Sequence, residues 1–441
     1  MRQYSAIALS LLCCGMAACG PTSRSLLIWR QTHADAANTG MLIVGAQPAR
    51  MDNVLTAAVP PIAHASPVVA PDGHVYVATW GPEKSSASDI GHGAVMQLAA
   101  SGAPLISGTA GDVPGQLSTP AVDEAGNIFV AQYLSFNHGA PQSALLRWNS
   151  ALGNQQSVRI NGVTLSSPKI LDGTGQAPLI VQTYTTEIGA HHVLIFNSQL
   201  QPLADWETCV PDQPSIWDNF KIGFHVGGID LGPPYNESAS VGIRAIGSGR
   251  DKTFYLVAAG DGCGVTFYKI DPTLTNPKVL TFIQHHDSSA ALFTSPAISA
   301  DGIAVIADSD HHITAYDVTT GDQKWQVTTT GFIAATPTMT PGAINVVYAA
   351  TYTEVVKLDL ATGMVLNSKP LTGMFTDATP AAAGNFIFVS TSAGLFTFNL
   401  SDLGLAAAAP FAAGESSPAI GSNGYVIVPS TDGKMFRFPG P

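Results

Sequence analysis

Short apolar runs, each opened by a Ser or Thr and separated by polar turns, recur along most of this chain. In the last third the opening residue returns about every 40 residues, and a period of that length indicates a repeat architecture. Seven openings are a Ser-Pro or Thr-Pro pair: Ser66-Pro67, Thr119-Pro120, Ser167-Pro168, Ser295-Pro296, Thr336-Pro337, Thr379-Pro380 and Ser417-Pro418. The pattern therefore predicts a series of similar β-units.

Residues 295–328 contain one complete unit. Its apolar segments are 295–299, 303–307, 313–317 and 324–327. They alternate with turn-forming stretches such as Ala300-Asp301-Gly302, which is a hairpin signal. Four short antiparallel strands in sequence are the size of one propeller blade. We therefore predict an all-β fold, a β-propeller of four-stranded antiparallel blades.

The number of blades depends on one irregular repeat. Ser240-Val241 stands where the other repeats have a Pro. Counting this repeat gives eight blades, and treating it as an insertion gives seven. The last repeat reaches Pro441 with only three strands, and an incomplete blade would leave an open sheet edge. We predict that residues 54–59 supply its fourth strand and close the ring, and that residues 20–50 pack outside this closure.

The N-terminus has the features of a bacterial export signal. Residues 6–12 form an apolar run that is too short to span a membrane. Met16-Ala17-Ala18-Cys19-Gly20 resembles a lipoprotein cleavage box, in which small residues precede a lipidated Cys. An ordinary secretory signal that contains cysteines is the alternative. On the preferred interpretation, a lipid on Cys19 holds a soluble domain at a membrane surface.

These features divide the chain into three parts. We predict a signal peptide at 1–18, a tether at 19–53 and the propeller at 54–441. Lipoproteins retained in the inner membrane typically have Asp after the lipidated Cys, and this chain has Gly20. We therefore expect a periplasmic protein anchored in the outer membrane.

Charge and cysteine content narrow the function further. Charged residues make up 11% of the chain and the formal net charge is −12. That charge argues against a nucleic-acid partner, which requires basic groups to neutralise phosphates. Outside the predicted signal and anchor only Cys209 and Cys263 remain. An oxidising periplasm permits a disulfide between them, and two buried free thiols are the alternative.

Some of the repeat residues resemble a known family. Asp317, Thr320-Gly321 and Trp325 resemble the pyrroloquinoline-quinone-type propeller repeat. Residues 29–35, followed by Asn38-Thr39-Gly40, are similar to the opening segment of such domains. The resemblance implies a propeller over about residues 29–438. The family contains quinoprotein dehydrogenases and also propellers that bind no quinone, such as the propeller lipoprotein of the outer-membrane barrel assembly machinery.

The resemblance implies two different functions. In the dehydrogenases, adjacent disulfide-bonded cysteines lie over the quinone and a carboxylate coordinates Ca²⁺. Here the only adjacent cysteines, Cys13-Cys14, lie in the predicted signal, and no Glu/Asn/Asp calcium set can be matched. We therefore predict a non-enzymatic protein without a cofactor. A dehydrogenase of alcohols or sugars that uses pyrroloquinoline quinone and calcium is the alternative, and an open, polar central channel would favour it.

The loops of a propeller emerge on two faces. Connections between blades, and loops between the second and third strands, share one face. In this chain that face carries the long loops 80–93 and 133–143 and the insert 210–238, and we call it the insert face. Turns between the first and second strands, and between the third and fourth, share the hairpin face and are mostly tight. Because binding residues concentrate on elaborated loops, the insert face is the predicted binding face.

Its expected partner is a periplasmic or outer-membrane protein or a glycan, bound by a monomer whose only membrane contact is the anchor. Aromatic residues of the insert suit such contacts. His285-His286-Asp287 and Asp310-His311-His312 could also ligate a transition metal. Neighbouring residues of an extended chain point to opposite sides, which favours solvated loop residues instead. No catalytic residue is assigned. The candidate binding residues are Trp217, Phe220, Phe224, His225, Asp230, Tyr235, His138, His192, His286 and His311.

Overall fold

The structure is a computed structural model of the chain. It describes residues 30–31, 34–35, 38–52, 54–59, 65–79, 92–99, 106–135, 142–164, 166–172, 177–186, 190–209, 225–226, 229–230, 240–248, 252–260, 263–273, 279–288, 292, 294–340, 345–371, 378–413 and 416–441. All regular elements in these residues are β-strands, numbered β1 to β36 in chain order.

The first half of the chain forms blades 1 to 4, preceded by β1 (Met41–Leu42) and β2 (Leu55–Ala58). Blade 1 contains β3 (Val68–Val69), β4 (Val75–Thr79), β5 (His92–Leu98) and β6 (Ile106–Pro114). Blade 2 contains β7 (Gln116–Leu117), β8 (Ala121–Val122), β9 (Ile128–Ser135), β10 (Gln142–Trp148) and β11 (Gln156–Ile160). Blade 3 contains β12 (Lys169–Leu171), β13 (Leu179–Thr185), β14 (His191–Asn197) and β15 (Pro202–Cys209). A separate hairpin of β16 (His225–Val226) and β17 (Ile229–Asp230) precedes blade 4, which contains β18 (Gly242–Ile246), β19 (Thr253–Gly260), β20 (Gly264–Ile270) and β21 (Leu280–His286).

The second half forms blades 5 to 8. Blade 5 contains β22 (Ala297–Ile298), β23 (Ile303–Ala307), β24 (His312–Asp317) and β25 (Gln323–Thr328). Blade 6 contains β26 (Thr338–Met339), β27 (Val346–Ala350), β28 (Glu354–Asp359) and β29 (Val365–Pro370). Blade 7 contains β30 (Ala381–Ala383), β31 (Phe386–Thr391), β32 (Gly394–Asn399) and β33 (Leu405–Pro410). Blade 8 contains β34 (Ala419–Ile420), β35 (Val426–Pro429) and β36 (Lys434–Phe438), together with β2.

The predicted eight-bladed propeller is confirmed, and so is the way in which the ring closes. β2 pairs antiparallel with β36, with Leu55 opposite Arg437 and Ala58 opposite Lys434. β2, which precedes blade 1 in the chain, therefore completes the last blade, and blade 8 has four strands. The seven-bladed alternative is wrong because Ser240-Val241 leads directly into the regular blade formed by β18 to β21.

The core lies between the blades. The second strand of blade 6, Val346–Ala350, is buried at every position because a neighbouring blade packs on each side of it. The fourth strand, Val365–Pro370, is mostly exposed, because it lies at the outer edge of the sheet. One apolar cluster joins Val305 of blade 5 to Leu358 of blade 6, which illustrates how burial links consecutive repeats.

The recurring Ser or Thr has a structural role that the sequence pattern did not reveal. In six positions its backbone N–H donates to the hydroxyl oxygen of the corresponding residue in the next blade, and these bonds run around the ring. They join Ser66 to Thr119, Ser240 to Ser295, Ser295 to Thr336, Thr336 to Thr379, Thr379 to Ser417 and Ser417 back to Ser66. We call this ring of bonds the hydroxyl belt. Ser240 takes part through its backbone N–H, although the Pro that follows the other opening residues is missing.

The hydroxyl belt is interrupted at blade 3. Ser167 has a buried hydroxyl oxygen with no hydrogen-bond partner among the described residues. Ser240 instead donates its own hydroxyl to the Ser167 carbonyl, at 3.0 Å. A buried hydroxyl that makes no bond stabilises little. The irregular point of the belt is therefore the blade before the insert, although its Ser-Pro pair is regular in sequence.

Trp325 shows how the repeat signature joins blades. Its indole Nε1 donates to the Leu360 carbonyl at 2.8 Å, and Leu360 begins the third-to-fourth turn of blade 6. Gly363 in that turn has φ +73°, and a Cβ there would lie 2.7 Å from the indole ring. A glycine is therefore required both by the backbone conformation and by the close approach of the ring.

Candidate binding surface and the filled axis

The N-terminal segment 30–46 enters the ring from the hairpin face. The Arg30 carbonyl accepts a bond from the Val122 N–H at 2.8 Å, at the end of the first strand of blade 2. The Arg30 Nη2 lies 2.5 Å from the Asp172 carboxylate, directly after the first strand of blade 3. Both contacts lie where first strands run into their hairpin turns. Arg30 therefore marks the point at which the chain enters the axis.

The segment reverses direction near the insert-face end of the axis. The Asn38 amide donates to the Val241 carbonyl at 3.1 Å and to the Pro296 carbonyl at 2.8 Å. Both carbonyls immediately precede the first strands of their blades. The Asp35 carboxylate accepts from the Thr39 N–H at 3.0 Å and stabilises this turn. Asn38 is fully buried and adopts a left-handed φ of 56°, which Asn tolerates better than most residues.

The chain then returns along blades 6 and 7. The Thr39 carbonyl accepts from the Met339 N–H and the Gly40 carbonyl from the Ala382 N–H, each at 2.8 Å. β1 pairs in parallel with β30, the first strand of blade 7. Gly40 has φ +65°, and a Cβ there would lie 2.8 Å from the Thr338 hydroxyl, so only glycine fits this approach.

The expectation that residues 20–50 pack outside the closure is thus wrong for the part of segment 30–46 that the structure describes. The first strand of each blade presents backbone N–H and C=O groups to the axis, and buried groups of this kind require partners. Val122, Met339 and Ala382 obtain theirs from this segment. The sequence offered a signal, because Asn38-Thr39-Gly40 matches the opening segment of related propellers, but it did not show where that segment lies.

The axis contains charged side chains that are buried or partly buried and paired. Arg30 is 5% exposed and is paired with Asp172. Burial raises the pKa of the Asp172 carboxyl, and the Arg30 guanidinium offsets part of that shift. Farther along, an Arg244 guanidinium nitrogen lies 3.9 Å from the Asp35 carboxylate. The charged groups of the axis therefore form two pairs, whereas the Arg30 Nη1 and the Asn38 Oδ1 are buried without a hydrogen-bond partner among the described residues.

The described residues do not fit a quinone with a calcium ion. Asn38, Gly40 and Leu42 occupy the axis, where Leu42 is 1% exposed. Within the described ranges no group of three or more His, Cys, Asp or Glu side chains could hold a metal ion. Cys13-Cys14 lies outside the described residues. The part of the axis that the structure describes is filled by the chain itself rather than open and polar.

A compact polar cluster lies at the insert-face end of blade 3. The His192 Nδ1 is 3.0 Å from one oxygen of Asp205, and the Tyr184 hydroxyl donates to the other at 2.8 Å. The rings of Tyr184 and His192 stack, with centroids 4.7 Å apart. Glu207 lies on the far side, 3.8 Å from the His192 Nε2. Sequence reasoning identified only His192, because its partners lie on other strands.

The pKa values of Tyr184 and Asp205, both in contact with His192, are shifted in opposite directions. Burial, followed by the hydrogen bond to Asp205, raises the pKa of Tyr184 well above its usual value. Burial also opposes ionisation of Asp205, but hydrogen bonds from His192 and Tyr184 outweigh it and lower the pKa of that carboxyl. The cluster therefore presents an ionised Asp205 and a neutral Tyr184 at neutral pH.

The other candidate histidines have separate neighbours. The His285 Nδ1 lies 2.8 Å from the Thr266 hydroxyl, and its Nε2 lies 3.1 Å from the Asp287 carboxylate. The His286 Nε2 lies 2.6 Å from the Gly321 carbonyl, in the interface between blades 4 and 5. His311 occupies a left-handed turn position with φ 68°. The structure therefore does not bring these predicted residues together with His192.

Several candidates cannot be placed. Trp217, Phe220, Phe224, Tyr235 and His138 lie outside the described residues. For His225 and Asp230 only the backbone is described, and these two residues are paired across the β16–β17 hairpin.

Cys263 is disulfide-bonded. It follows the second strand of blade 4, and a Cβ on the neighbouring Gly260 would lie 3.1 Å from the His191 ring. His191 is opposite Cys209 in the sheet of blade 3. For Cys209 only the backbone is described, so the expected bond between Cys209 and Cys263 stays a prediction.

The architecture defines the class: the protein is an eight-bladed β-propeller, and its repeats resemble the pyrroloquinoline-quinone-type repeat. Residues 285–438 match the family model described as outer membrane protein assembly factor BamB. A comparison with curated protein sequences finds no match. No helix long and apolar enough to cross a membrane occurs in the part of the chain that the structure describes.

Solved structures with the same fold include a BamB protein and two dehydrogenases. BamB from Moraxella catarrhalis is 13% identical with a TM-score of 0.52, covering 87% of this chain and 98% of that one. A europium-containing methanol dehydrogenase is 10% identical with a TM-score of 0.63, covering 91% and 89%. A quinohemoprotein alcohol dehydrogenase from Comamonas testosteroni is 11% identical with a TM-score of 0.61, covering 93% and 80%. At these identities the likeness shows the fold alone.

Proposed function

We propose that the protein is a non-enzymatic platform, anchored by a lipid on Cys19 in the periplasm, that binds an outer-membrane or periplasmic protein through its insert face. The observation that carries this proposal is the filled axis, where Asn38 bonds to blades 4 and 5 and β1 pairs with blade 7. A dehydrogenase of this fold needs room for its cofactor, and the burial of Asn38 and Leu42 in the axis supports a function without one. The match of residues 285–438 to the BamB family model supports the same class of function.

The insert face is the proposed binding face because it combines exposed charge with elaborated loops. Asp205 and Glu207 have exposed side chains around the partly buried His192. The insert 210–238 begins directly after β15, which carries both carboxylates. Fixed polar groups next to long loops on a rigid scaffold suit recognition of a protein surface.

Site-directed photo-crosslinking tests the face assignment. A photo-reactive amino acid replaces Glu207, which is opposite His192 at the start of a third strand. The matched control replaces Phe282, opposite Tyr268 near the end of a third strand, on the hairpin-face side of blade 4. Their side chains are similarly exposed, at 53% and 56%. We expect a discrete crosslinked product from position 207 alone, and the same product from both positions, or from 282 only, would contradict the assignment.

Two further measurements separate the alternatives. Replacement of residues 210–238 by a Gly-Ser linker should abolish the crosslink at position 207 while the thermal unfolding midpoint stays close to that of the parent protein. Pyrroloquinoline quinone and Ca²⁺, added with an artificial electron acceptor and an alcohol or sugar, should give no turnover. Turnover would reject the platform proposal in favour of the dehydrogenase alternative. Binding to a glycan array without any protein crosslink would make the partner a carbohydrate.

A further inference from the structure

The exposed apolar side chains of the propeller are distributed unevenly. Eight large hydrophobic side chains are exposed among the described residues: Ile43, Met51, Leu55, Phe282, Met364, Val365, Leu366 and Leu405. Those of Leu55, Val365 and Leu405 lie opposite residues near the ends of third strands, on the hairpin-face side. Their strand partners fix this placement. Val365 is opposite Leu358 and Leu405 opposite Phe398, each near the end of a third strand, where the chain turns on the hairpin face.

Most of these side chains belong to neighbouring blades. Met364 to Leu366 begin the fourth strand of blade 6, and Leu405 begins that of blade 7. The Asn367 amide donates to the Asp402 carbonyl at 2.6 Å and joins the two strand starts. Met51 and Leu55 lie next to them on the path into blade 8, after the Ala49 N–H bonds to Thr397 of blade 7. We call this surface of blades 6 to 8 the apolar rim.

The point at which the chain enters the axis lies on the same face. Arg30 is fixed beside Val122 and Asp172 at the hairpin ends of blades 2 and 3. Only residues 20–29 separate it from Cys19. Ten residues span at most about 33–36 Å, roughly the width of a small domain. A lipid on Cys19 therefore cannot lie far from the hairpin face.

From the short tether and the apolar rim together we infer that the hairpin face lies against the lipid surface, with the apolar rim in contact with the bilayer interface and the insert face directed away from it. This inference rests on the lipid anchor of the proposed function. A single anchor leaves the orientation of a soluble domain free, and apolar side chains that enter the interface would fix it. The orientation also leaves the proposed binding face accessible to a partner.

The charges near the rim select the type of lipid. Asp359 accepts bonds from the N–H and hydroxyl of Thr362 in the turn next to Met364, and these bonds lower the pKa of its carboxyl. A bond from the Gly404 N–H likewise lowers the pKa of Asp402, next to Leu405. The Lys357 ammonium, which donates to the Leu400 and Ser401 carbonyls, offsets one of these two ionised carboxylates. The remaining negative charge repels anionic headgroups, so contact should be stronger with zwitterionic lipids.

Tryptophan quenching by brominated lipids tests the orientation. The reporter is Leu405→Trp on the hairpin face, and the matched control is Ala393→Trp, an exposed position in the second-to-third turn of the same blade. Both are introduced into the full-length lipidated protein on vesicles of phosphatidylcholine with brominated acyl chains. After subtraction of the parent signal, we expect the Leu405→Trp emission to fall at least twofold and the Ala393→Trp emission to stay within a tenth of its value. Equal quenching at both positions, or quenching at 393 alone, overturns the orientation.

A second variant tests the apolar contact itself. Met364→Asp combined with Val365→Asp in the Leu405→Trp protein should reduce the quenching by about half or more, with circular dichroism unchanged. Undiminished quenching would mean that the rim does not touch the lipid.

Partial replacement of phosphatidylcholine by phosphatidylglycerol should weaken the quenching, and stronger quenching would contradict the role given to Asp359 and Asp402.

The anchor is tested separately by the mass of the mature protein. Acyl groups on Cys19 with no quenching at 405 would leave the platform proposal intact and reject the orientation. A mature protein without acyl groups would reject the anchor, and with it this inference, whereas the crosslink at position 207 reports on partner binding independently.

Discussion

The insert face and the hairpin face of this propeller are built from the same repeated strands but differ in what they carry. Segment 30–46 enters and returns on the hairpin face to bond with the inner strands. On the insert face the described surface carries a His192 cluster with exposed carboxylates beside a long insert. The difference teaches that the groups along the axis hold the blades together, while the exposed groups of the insert face can vary with less effect on the fold.

The largest expected effect comes from removing the axial segment. Deletion of residues 1–46 leaves the inner backbone groups of several blades without partners, and each unsatisfied buried group costs about 1–3 kcal/mol. We expect loss of cooperative thermal unfolding, measured by circular dichroism. Deletion of 1–29 is the control, because it keeps Arg30 and everything after it, and should leave the unfolding midpoint unchanged. A stable protein lacking 1–46 would remove the structural role assigned to the segment.

Within the axis, Asn38 should matter more than any single residue of the insert face. Asn38→Ala leaves the Val241 and Pro296 carbonyls without their donor. Asn154→Ala is the matched control, because Asn154 is exposed and has a similar left-handed φ of 53°. Because both residues have a left-handed φ, the free-energy cost of placing alanine in that conformation is the same in the two variants and cancels in their difference. The difference in the free energy of unfolding, from urea titration, should be about 2–4 kcal/mol, and equal losses would show that the two bonds contribute nothing.

The hydroxyl belt offers a comparison between its bonded and its interrupted part. Ser295→Ala removes the acceptor of the Ser240 N–H and should lower the free energy of unfolding by about 1–3 kcal/mol. Ser167→Ala removes a buried hydroxyl oxygen that has no partner among the described residues, and should change it by less than about 1 kcal/mol. Thermal and urea unfolding measure the loss of stability in each variant. A larger loss for Ser167→Ala than for Ser295→Ala would contradict the role given to the belt hydrogen bonds.

On the insert face, Tyr184→Phe should have only a small effect on stability. It removes the bond to Asp205 but leaves the ring stacked on His192. The expected loss is about 0.5–1.5 kcal/mol in urea titration. A loss as large as that of Asn38→Ala would mean that this face is also part of the structural framework.

The smallest expected effect is on the stability of the folded protein at acid pH. The pKa of Asp205 is lower in the folded protein, so its contribution is present above the unfolded value of about 3.9 and is lost as pH falls through the folded value. The parent protein should therefore lose this increment of stability below about pH 4. Asp205→Asn should show a shallower decrease when unfolding is followed from pH 5 to pH 2, and parallel curves would contradict the role of this carboxyl.

The repeat predicted most of the fold because its information is local. The turn at Ala300-Asp301-Gly302 and the strands on either side of it appear where the pattern predicted them, as β22 and β23. The unpaired segment 54–59 predicted closure, because a missing strand at one end and a spare strand at the other satisfy the same sheet edge. Each of these inferences required only the periodicity of neighbouring residues and the need to pair an edge.

The candidate site was less predictable because its contacts are distant in sequence. His192 was identified, but Tyr184 and Asp205 lie on other strands and became its partners only through the register of blade 3. His286 was expected on the binding face, and its bond to Gly321 places it in the interface with blade 5. The positions of the histidines in the sequence predicted that they lie at strand ends, but not the direction in which each side chain points.

By itself, the sequence determined that this chain forms repeated four-stranded blades and which strand completes the last one, and it left the number of blades at seven or eight. Only the tertiary structure decided that residues 30–46 fill the axis, since the inner edges of eight blades face one another only after the ring has closed. The hydroxyl belt has the same origin, because Ser417 and Ser66 are neighbours in the ring and lie at opposite ends of the chain. Hydrogen-bonding groups that look ordinary along the sequence acquire partners, and with them their roles, from the closed ring.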